Sequence, residues 1–262
     1  MIEVTSADLT YWLGQYFWPF VRLLALIATA PLFNEKGIDS KVKIGLAFLC
    51  TVLISPQITI ENTPIFSVPG VWLLIKQVLI GIALGFTMQL AFAVFRLAGE
   101  IIGLQMGLSF ATFFDPSSGA NTSVLSRFFN VFAMLLFLVF DGHLWLISLL
   151  ADSFHLIPIN QGLINSNIFL SIAQTGSLIF INGLMLALPL ITFLLVINIS
   201  LGVLNRMSPQ LSVFVIGFPI TLTIGILTIG LLMPLFAPFS EHIFSELFDV
   251  IAMIIREFLA QE

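Results

Sequence analysis

Long apolar runs separated by short polar connections set the first expectation for this chain. Six stretches, 11–33, 42–58, 70–95, 124–150, 168–200 and 211–239, come close to or exceed the ~20 mostly apolar residues of a membrane-crossing helix. A further stretch, 97–114, is apolar but carries Glu100, Gln105 and three glycines. It reads as a continuation of the helix before it, as a half-helix, or as a re-entrant piece. The tail predicts another kind of element. Ile243, Phe244, Leu247, Phe248, Ile251, Ile254, Ile255, Phe258 and Leu259 recur at helical spacing, with Glu246, Asp249, Arg256 and Glu257 on other faces. This is an amphipathic helix. Ser240, two residues after Pro238, is its expected N-cap, and the helix is expected to lie on a surface or bind a partner. Pro19, Pro31, Pro189, Pro219 and Pro234 fall inside or at the ends of apolar runs. Each removes an amide donor, so the helices are expected to be irregular and packed against other protein.

Composition turns this pattern into a class. Of 262 residues, 59% are hydrophobic and 9% charged, against about 25% charged in soluble domains. A soluble globule of this size could not keep so much apolar surface from water. The fold class is therefore an all-α membrane protein. The net charge is -5 and no basic run occurs, which excludes nucleic acid as a partner. The single cysteine, Cys50, cannot form an intrachain disulfide and reads as a small buried apolar residue. "MIEVTSADLT" has no lysine or arginine, so no removable signal peptide is expected.

The charges in the connections alternate. Lys36, Lys41 and Lys43 lie in the first, Arg96 and Arg127 in the third, and Arg206 in the fifth, while the second and fourth carry no base. The positive-inside rule then places the odd connections in the cytoplasm and the N-terminus outside. Six simple spans would also put the C-terminal helix outside.

Candidate functional residues cluster in "RLAGEIIGLQMGLSFATFFDPSSGANTSVLSR", residues 96–127. Gly99, Gly103 and Gly107 are spaced by four and form a smooth helical stripe that lets another backbone approach closely. Gly81 and Gly85 form a second such pair. Arg96 and Glu100, also four apart, can pair on one helix face. They read either as a helix end at the membrane interface or as a functional pair. Phe110, Phe113 and Phe114 precede Asp115-Pro116, which stops a helix. On residues alone they read first as membrane-facing aromatics at a helix end, and second as a movable apolar stopper. His143, His155 and His242 are scattered without metal-ligand spacing. No phosphate-binding glycine loop or nucleophile elbow occurs. The expectation is a non-enzymatic protein without a cofactor.

"RLAGEIIGLQMGLSFATFFDP" and "NRMSPQLSVFVIGFPI" resemble the FliR family of flagellar biosynthetic proteins, membrane components of the type III export gate. The resemblance covers essentially the whole chain, and injectisome homologues look similar. It implies kinked helical hairpins in one export-gate domain, with a FliP-like part over 1–165 and a FliQ-like hairpin with the C-terminal helix over 166–262. It implies FliP, FliQ and FlhB as partners, with one copy of this chain in the hetero-oligomer, at the flagellar basal body in the bacterial inner membrane. Much of the assembly would then sit towards the periplasm. Unfolded flagellar subunits would pass through the channel. Residues 106–122 would match the family's plug, with Met106, Phe110, Phe113 and Phe114 at the pore. The turn holding Arg206, Pro209 and Gln210 would meet FlhB on the cytoplasmic side. The rival reading is a small-solute secondary transporter or channel. It requires paired intramembrane charges and an internal repeat, and neither is visible in the sequence.

Overall fold

A computed structural model describes residues 6–33, 37–58, 63–108, 123–160, 162, 165, 167–208 and 213–257. The described residues form seven α-helices and one 3-10 turn, with no strand among them. The helices are α1 (Ser6–Thr29), α2 (Ser40–Ile54), α3 (Val68–Gln105), α4 (Val124–Val139), α5 (Gly142–Leu156), α6 (Asn167–Met207) and α7 (Val213–Glu257), with the 3-10 turn at Ser55–Gln57. All six apolar stretches are helical, as the composition requires of an all-α membrane protein. Three helices are long and apolar enough to cross a membrane: α3, α6, and α7 over Gly217–Arg256. The number becomes four if α4 and α5 form one broken span. Among the described residues that is fewer than the six spans of the hydropathy pattern. At 15 residues, α2 is about 22 Å long, short of the ~30 Å hydrocarbon core. In α1, Gln15, Arg22 and the Tyr and Trp residues dilute the apolar run.

Several local features resolve what the sequence left open or differ from its expectation. The stretch after Ala98 continues α3 as far as Gln105. The apolar run 124–150 divides at Asp141, which adopts the left-handed region (φ 55°), a conformation that Asp tolerates better than most side chains. Most of the prolines lie within helices, Pro19 inside α1, Pro189 inside α6, and Pro219, Pro234 and Pro238 inside α7, whereas Pro31 follows the end of α1 at Thr29. Ser240 is not an N-cap. It sits within α7, fully buried, and its hydroxyl donates to the Phe236 carbonyl at 2.7 Å. The C-terminal apolar face is also not free, because Ile243, Phe244, Leu247, Ile251, Ile254 and Ile255 are all buried within the chain.

The chain forms two compact units. One contains residues 1–90, 141–175 and 246–262, and the other 91–140 and 176–245. Neither is a continuous stretch of sequence. In the first unit α1 packs on α2. The Gln15 amide donates to the Ser55 carbonyl (3.0 Å), and the Ser55 hydroxyl donates back to the Gln15 carbonyl (2.7 Å). The core of the second unit is aromatic. Phe92 and Phe95 of α3, Phe129 and Phe137 of α4, and Phe236 and Phe244 of α7 pack with ring centroids 5.2–5.8 Å apart. These distances suit edge-to-face and tilted pairs, each contributing about 0.5–1.5 kcal/mol beyond area burial.

Candidate functional site

The last two turns of α3 hold the chain on both sides of the segment 109–122. On the outgoing side, the Leu108 amide donates to the Gly103 carbonyl (2.9 Å) and the Gly107 amide to the Leu104 carbonyl (3.0 Å). Gly107 itself has φ 83°. This is a Schellman motif, which satisfies the last helical carbonyls and favours glycine at its left-handed position. Gly107 therefore ends the helix at a left-handed position.

On the returning side, Ser123 caps α4, its hydroxyl oxygen accepting from the Ser126 amide at 3.1 Å. The Ser123 amide in turn donates to Glu100 Oε2 at 3.0 Å. The Ser126 hydroxyl donates to the Arg96 carbonyl at 2.9 Å. Gly99 and Gly103 make this approach feasible. A Cβ on Gly99 would lie 2.6 Å from Ser126 Cα, and one on Gly103 would lie 3.1 Å from Ser123 Oγ. Leu108 and Ser123 thus both meet Gly103, one through its carbonyl and the other against its Cα. The Glu100 carboxylate faces the Ser123 amide, and the Arg96 side chain is exposed.

Met106 is buried, with its side chain filling the space that a Cβ on Gly225 of α7 would need (2.6 Å from Met106 Cε). Thr221, one turn before Gly225, donates its hydroxyl to the Met106 carbonyl at 3.4 Å. The sequence reading omitted Thr221 and Gly225, although their spacing of four is that of a helix face. Gly81 and Gly85 serve a different contact. A Cβ on Gly81 would lie 2.5 Å from the Arg22 carbonyl of α1, and one on Gly85 would collide with the Thr29 hydroxyl. Arg206 is exposed in the last turn of α6. Phe110, Phe113, Phe114, Pro209 and Gln210 lie outside the described residues.

A second polar centre, in the first unit, lay hidden within apolar runs. Arg22 is fully buried. Its Nε donates to Gln77 Oε1 (2.7 Å), Nη1 to the Ser153 carbonyl and hydroxyl (2.9 and 3.1 Å), and Nη2 to the Ile157 carbonyl (3.0 Å). The guanidinium lies 4.3 Å from the Phe154 ring centroid. The Lys76 ammonium donates to Asn160 Oδ1 (2.9 Å) and to the carbonyls of Asn160 and Gly162 (3.2 and 3.1 Å). The carbonyl ends of α5 carry partial negative charge, which favours a cation there.

The arrangement at α3 and α4 offers capping, charge-assisted hydrogen bonding and close backbone packing. These are the means of fixing a loop at both ends. Comparison with known proteins agrees with a role in export. The family described as "Bacterial export proteins, family 1" matches residues 13–247. The chain is 63% identical to the flagellar biosynthetic protein FliR of Pectobacterium carotovorum subsp. carotovorum over 98% of both chains. It is 60% identical to FliR of Escherichia coli (strain K12), again over 98% of both. Identity to FliR of Bacillus subtilis (strain 168) is 28%, over 86% of this chain and 88% of that one. Matched over most of its length, the chain belongs to the bacterial export proteins, family 1.

Proposed function

We propose that the chain is a structural and gating subunit of a flagellar protein-export channel in the bacterial inner membrane. The observation that carries this reading is that Leu108 and Ser123, the described residues on either side of 109–122, are both held on one stretch of α3, by the Gly103 carbonyl and the Glu100 carboxylate. In this reading Phe110, Phe113 and Phe114 lie at the pore, with Met106 as the anchored start of the plug. Bulky apolar side chains at a constriction exclude water and so block ions, and the chain performs no chemistry of its own. It assembles with FliP, FliQ and FlhB, one copy per complex, around a path for unfolded flagellar subunits. Residues 1–165 supply the FliP-like part, 166–262 the FliQ-like hairpin, and the turn of Arg206, Pro209 and Gln210 faces FlhB. Long kinked helices that extend towards the periplasm belong to the same proposal.

The test is Phe110→Ala with Phe113→Ala in cells. Membrane ion leak is expected to rise at least several-fold, with the assembly still formed. Unchanged leak together with unchanged export would overturn the plug assignment.

A further inference from the structure

We propose that Glu100 is a positioning residue for the start of α4, completing from α3 the cap that α4 cannot complete for itself. The first amides of a helix have no intrahelical partner. In a capping box, a Glu three residues after the N-cap reaches back to the N-cap amide. In α4 that position is Ser126, too short for the task and already donating its hydroxyl to the Arg96 carbonyl. The Ser123 amide instead finds Glu100 Oε2 at 3.0 Å. The carboxylate also faces the positive end of α4, where negative charge is favoured. A hydrogen bond to an ionised acceptor is shorter and roughly twice as strong as a neutral one. Glu100 therefore fixes Ser123, within one turn of the Gly103 carbonyl that holds Leu108.

This inference rests on the reading of 109–122 as a pore element, and its test separates the two. In the purified export assembly with the full chain, amide hydrogen exchange at Ser123 is measured alongside ion conductance of the membrane-embedded complex. Glu100→Ala is expected to speed Ser123 exchange by roughly tenfold or more and to raise the leak. Glu100→Gln, which keeps an acceptor oxygen, is expected to restore most of the protection and most of the seal. Unchanged Ser123 exchange in Glu100→Ala would overturn the inference, even where Phe110→Ala with Phe113→Ala leaks. Fast exchange in Glu100→Ala combined with a tight phenylalanine double variant would uphold the anchor and overturn the plug. Should Glu100→Ala fail to assemble, Ser123→Pro is compared with Ser123→Ala. Ser123 has φ -63°, which suits proline; both variants lose the hydroxyl and only proline loses the amide. A larger leak in Ser123→Pro is expected, and equal leaks would overturn the inference.

Discussion

Arg22 shows what a single charge can organise. Its four donated hydrogen bonds reach α3 through Gln77 and the end of α5 through Ser153 and Ile157. Replacing it by alanine leaves several buried oxygens without a donor, at about 1–3 kcal/mol each. Arg22→Ala is expected to lower the thermal midpoint of the detergent-purified protein by several degrees. Arg22→Lys should recover only part of the loss, because one ammonium cannot reproduce a planar fork that reaches two helices. Equal midpoints for Arg22→Lys and the unaltered chain would contradict this. The sequence held a usable signal: a base in the middle of an apolar run is costly and rarely without a role. Counting charges only in the connections passed over both Arg22 and Lys76. The stem of the loop was more legible. Gly99, Gly103 and Glu100 stood out by spacing and polarity, yet the partner of Glu100 did not. Ser123 is 23 residues away, and helical periodicity reports neighbours only within a few turns.

At the scale of elements, the glycines give a graded expectation. At Gly99 the obstacle to a Cβ is the Ser126 backbone, whereas at Gly103 it is the Ser123 side chain. Gly99→Ala is therefore expected to reduce the steady-state level of the assembly far more than Gly103→Ala, read by immunoblot of the membrane fraction. Gly107→Ala acts differently, through the cost of a left-handed backbone, about 1–2 kcal/mol, and Gly107→Asn should be milder. The apolar runs fall on every helix among the described residues, although they merge α4 with α5 and divide α7 in two. The pattern failed at the ends and breaks, where competing local chemistry decides. It predicts a separate tail helix beginning at Ser240 after Pro238, but α7 runs through both Pro234 and Pro238, as membrane helices allow when neighbours satisfy the freed groups. Asp141, inside the apolar run 124–150, divides it into two helices. Ser240 fitted the composition of an N-cap, but it follows helical residues and bonds back along α7.

For the whole molecule, helix length and burial set the terms. With 38, 41 and 45 residues, α3, α6 and α7 are about 57, 62 and 68 Å long, roughly twice the hydrocarbon thickness of a bilayer. The most apolar window of α3 is 67% buried within the chain, while those of α6 and α7 are only 17% buried. The exposed faces of α6 and α7 must be covered by lipid or by other chains. Under the proposed function, co-expression with FliP and FliQ is expected to yield a discrete complex with one copy of this chain by mass measurement. A stable free monomer under the same conditions would count strongly against that assembly.

The buried arginine also sets an order for the protein's synthesis. The groups that satisfy Arg22 lie 55 to 135 residues further along the chain. At roughly 5–20 residues per second, α1 emerges from the ribosome about 7–27 s before the end of α5. During that interval the guanidinium cannot occupy its final site and must stay in contact with water, lipid headgroups or the insertion machinery. The first helix is therefore committed to its place only when the fifth arrives.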